Sequence, residues 1–172
     1  RLLSTAGVVT LGASSKIHSY DPPVEPVITL SSSTIDLKTA DTYAILTGGA
    51  FTDAATTSIL GEITSTAGSD TQAMTDLKAA YDAAALVETA AITVGQTTFT
   101  PGAYYQAAAL AYGANTELTF DGTPDSVFLI RTDGALGIGA DSTVKLLNGA
   151  SADNIYWHVT GATTIGAGAV FA

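Results

Sequence analysis

The chain has 172 residues, enough for one domain with a substantial core, and 47% of them are apolar, so a disordered chain is excluded. It carries 16 acidic and 6 basic residues, for a formal charge of −10. This charge argues against nucleic acid and anionic membranes as partners, since both require a basic patch. Cysteine is absent, which excludes disulfides and thiolate chemistry, and we predict no cofactor.

The N-terminal segment combines two apolar runs with a proline-rich stretch. The runs are Leu2-Leu3 and residues 8–11, and three prolines follow within residues 18–26. Closely spaced prolines favour an extended, semi-rigid polyproline II conformation. We therefore divide the chain into a segment at residues 1–17, a linker at 18–26 and a domain at 27–172.

One helix is predicted in the chain, over residues 69–86. Met74, Leu77, Tyr81 and Ala84 follow the spacing of a single helical face. Its many alanines favour helix formation and allow close packing on a flat surface. We expect this helix to lie along neighbouring strands and to cover a face of theirs that would otherwise be open.

The rest of the domain consists of short apolar runs separated by turn residues. Runs rich in Val, Ile, Phe and Tyr occur near residues 43–46, 58–65, 91–105, 116–120, 127–131, 143–147, 154–159 and 168–172. Each is predicted to be a strand, except that 91–105 is predicted to form two strands around the turn Pro101-Gly102. Small residues at 134–140 and 166–169 would let neighbouring backbones approach closely, as stacked coils require. These features predict successive coils of a β-solenoid.

Five motifs in this order resemble the ice-binding-protein-like family of β-solenoids, a domain found in many antifreeze proteins. They are TYAIL, DLKAAYDAA, FTPGAYY, LTFDG with DSVFLIRTDG, and VKLLNGASADNIYWHV, and their order agrees with the family over residues 36–172. The resemblance implies an all-β fold with one long helix. It further implies a right-handed solenoid of triangular section, braced on one side by the helix at about 69–86.

One departure from the family suggests self-assembly. The family continues past the equivalent of residue 172 into a further strand, and the sequence that matches this continuation lies here at residues 1–17. We predict a non-enzymatic, extracellular structural protein that donates this strand to a neighbouring copy and so forms head-to-tail filaments. The predicted donor positions are Leu2, Leu3, Val8, Val9, Thr10 and Leu11, and the acceptor positions are Thr164, Ile165, Val170 and Phe171. The same segment could instead complete its own domain, as in a circular permutation.

Ice binding is the alternative function, because it is the best-known activity of the family. It requires a flat face with hydroxyl and methyl groups at regular spacing, and threonine supplies both groups. The candidate ice-face residues are Thr56, Thr98, Thr100 and Thr163. The predicted partners are thus further copies of the chain and, in the alternative, ice. A third reading is an adhesin or surface-layer module.

Enzymatic and metal chemistry find little support in the sequence. If Ile155, Trp157 and Val159 face inward, His158 faces outward, which is typical of a surface or interface residue. A nucleophile motif such as G-x-S-x-G is absent, and the acidic residues are spread singly along the chain. We predict no catalytic site and no metal site.

Overall fold

The computed structural model describes residues 30, 35–46, 62–64 and 71–170, which contain one α-helix and twelve strands. The helix α1 spans Thr71–Ala85, and short 3-10 helices span Lys38–Thr42 and Ala152–Asn154. The strands are β1 (Tyr43–Leu46), β2 (Glu62–Thr64), β3 (Ala90–Ala91), β4 (Thr98–Phe99), β5 (Gly102–Gln106), β6 (Leu110–Tyr112), β7 (Glu117–Asp121), β8 (Phe128–Thr132), β9 (Leu136–Ile138), β10 (Thr143–Leu147), β11 (Ile155–Val159) and β12 (Thr163–Ile165).

Residues 98–165 wind through three parallel sheets in turn. The first sheet contains β4, β7 and β10, the second contains β3, β5, β8 and β11, and the third contains β6, β9 and β12. Partners on the third sheet lie 26 or 27 residues apart, as in the row Leu110, Leu136 and Thr163. Each coil therefore adds one strand to each sheet. The predicted β-solenoid with one helix is confirmed, and its right-handedness stays a prediction. Strands β1 and β2 form a separate parallel pair.

The interior of the coils is filled by aromatic and aliphatic side chains. Phe120 is fully buried at its centre, with ring centroids 5.3 Å from Phe99, 5.2 Å from Phe128 and 6.0 Å from Trp157. Each fully buried phenylalanine contributes about 1.5–3 kcal/mol through the hydrophobic effect. Side chains alternate in and out along each strand, so parallel in-register pairing stacks the inward residues of successive coils.

The corners of the third sheet bring backbones of neighbouring coils into close contact. A Cβ atom at Gly139 would lie 2.3 Å from the carbonyl carbon of Gly113, and one at Gly134 would lie 2.3 Å from the amide nitrogen of Ala109. Any side chain at these positions would therefore force the coils apart. The close backbone approach expected from residues 134–140 is confirmed.

Helix α1 packs on the outer face of the second sheet. The apolar cluster between them consists of Ile35, Ala80, Ala84, Val87, Ala103 and Leu129, flanked by Leu30, Leu37 and Tyr156. The expectation that the helix covers one face of the strands is thus confirmed. Within the described residues, no helix is both long enough and apolar enough to span a bilayer.

The buried side of α1 differs in part from the predicted one. The predicted face included Met74, Leu77 and Tyr81, which are only half-buried. The buried positions instead run through Ala73, Asp76, Ala80, Ala84 and, just after the helix, Val87. Small alanines under the helix let its backbone lie close to the sheet, so the larger side chains are displaced to the flanks.

A carboxylate anchors the start of α1 to the preceding segment. The Thr39 hydroxyl donates to Asp76 Oδ2 at 2.6 Å, and the Gln72 amide donates to Asp76 Oδ1 at 2.9 Å. The hydrogen bond from the Thr39 hydroxyl is the main reason that the pKa of Asp76 is lowered from 3.8. The charged carboxylate therefore holds the 3-10 turn Lys38–Thr42 against the helix.

Candidate functional site

The third sheet presents a flat outer surface that α1 does not cover. In the three-residue strands β6 and β9, the first and last side chains point inward and the central residue points outward. The central residues are Ala111, Gly137 and Thr164, which lie in register across three coils. We call Ala111, Gly137 and Thr164 the small-residue face.

The surroundings of the small-residue face are equally small and uncharged. The corner residues before its strands, Ala109, Ala135 and Ala162, are all exposed alanines. Strands β6, β9 and β12 contain no charged residue. Neighbouring strands of a sheet lie about 4.8 Å apart, so this surface has low relief and a regular repeat along the stack.

The outer face of the first sheet is different, because charged side chains project from it. The Lys145 ammonium lies 3.1 Å from Glu117 in an exposed ion pair. Lys145 also continues the register row that begins with Thr98 and Thr119. Long charged side chains beside these threonines give the first sheet an uneven, strongly hydrated surface.

The threonines predicted to bind ice do not gather on one face. Thr98 points outward from the first sheet, and Thr100 lies in the bend that follows, with its hydroxyl 3.1 Å from that of Tyr104. Thr163 is in register with the buried Leu136, so it occupies an inward row of the third sheet. Thr56 lies outside the described residues.

The sequence contains a signal for the small-residue face that the threonine-based reading missed. The segments ALAYGAN, ALGIGAD and ATTIGAG begin at residues 109, 135 and 162 and recur once per coil. Each has a small central residue between two inward positions. Aligning the sequence at this coil period would have revealed the face, whereas a search for repeated threonine could not.

The last described coil leaves inward side chains partly uncovered. Ile165 is 37% exposed, although its register partner Ile138 is 4% exposed. Val170 forms an isolated parallel bridge to Thr143 and is exposed. Of the predicted acceptor positions, Ile165 points inward and Thr164 points outward, on the small-residue face. Phe171 and all the predicted donor positions lie outside the described residues.

The second sheet carries a row of three polar side chains on its outer face, one buried and two half-buried. Tyr105, Arg131 and His158 are register partners on β5, β8 and β11. His158 points outward from its strand, as expected, yet it is buried, because its ring stacks on Tyr81 of α1 with the centroids 3.7 Å apart. It is therefore not the exposed surface histidine that its strand position suggested.

Burial changes the proton affinity of several groups around the stack. Burial, the largest influence, lowers the pKa of His158 from 6.5, and burial raises the pKa of Tyr112 to about 12. The hydrogen bond from the Tyr105 hydroxyl to Asp133 raises the pKa of Tyr105. In the described part of the chain, no group of three or more His, Cys, Asp and Glu side chains could hold a metal ion.

The chain is similar in sequence to known ice-binding proteins. A family model described as "Ice-binding-like" matches residues 2–172. Ice-binding protein 1 of Shewanella frigidimarina is 40% identical over 105 residues, which cover 55% of this chain and 12% of that protein. An ice-binding protein of Flavobacterium frigoris is 33% identical over 102 residues, covering 56% of this chain and 36% of that protein. The chain thus matches only a minor part of the length of these relatives.

Solved structures show the same fold. The crystal structure of an ice-binding protein from the Antarctic ascomycete Antarctomyces psychrotrophicus matches with a TM-score of 0.63 and 29% identity, over 77% of each chain. An ice-binding protein from an Antarctic biological consortium matches with a TM-score of 0.62 and 28% identity, over 86% of this chain and 78% of the other.

Proposed function

Because the chain belongs to the ice-binding-like family, whose model matches residues 2–172, we propose that it binds ice through the small-residue face. The observation that carries this proposal is the uncharged outward register of Ala111, Gly137 and Thr164 over three coils, in which Ala111 and Thr164 are exposed and Gly137 is half-buried. Relatives of the chain are named as ice-binding proteins, which supports the choice of ligand.

The physical basis of this proposal is a comparison of the three outer faces. Ice is a neutral, periodic array of water molecules, so a face that binds it should be flat, rigid and regularly spaced. The second sheet is covered by α1, and the first sheet carries the Lys145–Glu117 ion pair. Of the three solenoid sheets in the described residues, only the third is free of both α1 and charged side chains on its strands. Tight backbone contacts at Gly134 and Gly139 stiffen its edges.

This role implies a non-enzymatic protein that works outside the cell, where it can meet growing ice. The names of the relatives, which are ice-binding proteins, support this role. The proposed mechanism is adsorption of a rigid surface to the crystal, with no chemical step.

A matched pair of bulky substitutions tests the face. Ala111→Tyr would place a ring on the small-residue face, and Thr98→Tyr would place one at an exposed position of the first sheet. We expect the wild-type chain to show thermal hysteresis and to shape ice crystals. Ala111→Tyr should abolish most of this activity, and Thr98→Tyr should retain it.

The outcomes of this test distinguish two errors: that the chain does not bind ice, and that it binds ice through another surface. If the wild-type chain neither shapes ice nor slows its growth, ice binding is rejected. If Thr98→Tyr loses activity while Ala111→Tyr keeps it, the ice-binding surface is the first sheet. Circular dichroism of each variant should match that of the wild type, since both replaced side chains are exposed.

We also propose strand addition at the last coil as a second function, which would build filaments from copies of the chain. The observation that favours it is the exposure of Ile165 and Leu146, whose register partners Ile138 and Phe120 are buried. A strand laid against β10 and β12 would cover these side chains and pair the open strand edges. The apolar positions of residues 1–17 are the proposed source of that strand.

Deletion of residues 1–17 tests strand donation. Light scattering and electron microscopy of the whole chain should show polymers, and the deleted chain should remain monomeric. Polymers formed by the deleted chain would refute donation by this segment. A monomeric whole chain would refute the filament and favour completion of the coil within one molecule.

A further inference from the structure

The imidazole of His158 occupies a buried site that disfavours its charged form. The side chain is 7% exposed, and its ring lies nearly parallel to that of Tyr81, at an interplanar angle of 21°. Neither ring nitrogen has a hydrogen-bond partner among the described residues. The neutral ring already leaves one N–H donor and one acceptor unpaired here, and protonation would add a buried charge to this cost.

The neighbouring strand increases the cost of protonating this ring. Arg131 is the register partner of His158 on β8, and neighbouring strands lie about 4.8 Å apart. The Arg131 guanidinium donates to the backbone carbonyl of Val87 at 3.3 Å and lies over the ring of Tyr105, 5.2 Å from its centroid. These contacts hold Arg131 in place, so a protonated His158 would have a second cation beside it.

Acidic groups around the site do not offset this repulsion. Asp133, which follows β8, accepts a hydrogen bond from the Tyr105 hydroxyl. On α1, Asp82 pairs with Lys78 at 2.7 Å on the exposed side of the helix, and Glu88 is exposed after it. Burial, the largest influence, lowers the pKa of His158 and Arg131 lowers it further, whereas the backbone groups of His158 and Tyr81 and the Asp133 carboxylate act in the opposite direction.

Tyr81 connects this ring to the docking of the helix. Its ring covers His158, and its hydroxyl lies 3.3 Å from that of Thr160, just beyond β11. The contact between Tyr81 and His158 is therefore part of the interface that holds α1 on the second sheet. Water can reach the His158 ring only if this contact opens.

We propose that His158 is a pH-sensitive latch, which holds α1 on the second sheet while the ring is neutral and releases it when the ring is protonated. The docked state binds a proton more weakly than the open state, so acid shifts the equilibrium toward opening. The full stability of docking is present above pH 6.5, the ordinary pKa of histidine, and declines as the pH falls below it. Each unit by which docking lowers the pKa changes the opening equilibrium by up to tenfold.

Hydrogen exchange of the whole chain at about pH 7.5 and about pH 5 tests the latch. After correction for intrinsic exchange rates, the amides of α1 should open more at the lower pH, relative to the amides of β8. His158→Gln should remove this pH dependence. His18→Gln is the matched control, because the chain has 2 histidines, and it should behave as the wild type. The Asp76 anchor does not titrate in this range, since its pKa is lowered below 3.8.

Two outcomes would overturn the latch. The first is a pH dependence of α1 opening that persists in His158→Gln or disappears in His18→Gln. The second comes from the wild-type chain alone: a nuclear magnetic resonance titration in which the pKa of His158 is 6.5, the ordinary value, or higher. If His158→Gln fails to fold, His158→Phe keeps an aromatic ring against Tyr81 and takes its place.

Discussion

The second and third sheets of the solenoid share the same coils but carry opposite kinds of outward side chain. Among the outward positions of the coil formed by β7, β8 and β9, the second sheet has Leu129 and the third has Gly137. Leu129 is fully buried under α1, whereas Gly137 lies on an uncovered face. The coil backbone therefore accommodates both large and small outward side chains. Contact with α1 determines which outward positions become buried.

This difference separates two roles within one repeating architecture. Under α1, large and polar side chains such as Leu129, Arg131 and His158 bind the helix to the stack. On the third sheet, alanine, glycine and threonine leave a smooth exterior. A stack of coils can therefore pack a stabilising helix on one sheet and leave another sheet open for the proposed contact with ice.

The largest expected effect comes from removing the side chain that is most enclosed by the helix. Leu129→Ala should destabilise the chain by about 2–5 kcal/mol, because it opens a cavity between α1 and the sheet. Urea denaturation measures the change. Gly137→Ala is the matched control and should change stability by less than about 0.5 kcal/mol. If Leu129→Ala lowers the free energy of unfolding as little as the control does, the helix is not packed as described.

A second pair of variants compares two glycines of the same sheet. Gly139→Ala should destabilise the chain by about 1–3 kcal/mol, because its Cβ would meet the backbone of Gly113 at 2.3 Å. Gly137→Ala again serves as the control, since its Cβ would lie 3.7 Å from that of Ala111. Equal stability of the two variants in thermal melts would show that the coils can separate freely at their corners.

The smallest expected effect concerns the first sheet, which is neither covered nor smooth. Lys145→Gln breaks the ion pair with Glu117. The side chain of Lys145 is 50% exposed and that of Glu117 is 54% exposed. Exposed pairs contribute about 0.2–1 kcal/mol, and salt screens them. The difference in unfolding free energy between Lys145→Gln and the wild type should therefore vanish when urea denaturation is repeated in high salt. A large loss that salt does not change would show that the pair is structural.

Much of this architecture could be predicted from the sequence. The spacing of apolar runs and small residues predicted the coils, and alanine-rich residues 69–86 predicted the helix and its position on the strands. The register was harder to predict, because Thr163 and Thr164 are adjacent and only pairing decides which one faces inward. The burial of His158 was also missed, since a strand pattern gives the direction of a side chain but not what covers it.

Each coil adds one strand to each of the three sheets, so within the sheets a coil is held through its junctions with the coils on either side. The coil formed by β10, β11 and β12 has one described junction through its sheets, and Ile165 marks its thinner cover. We expect β12, which has one described neighbour in its sheet, to open before β9, which is paired on both sides.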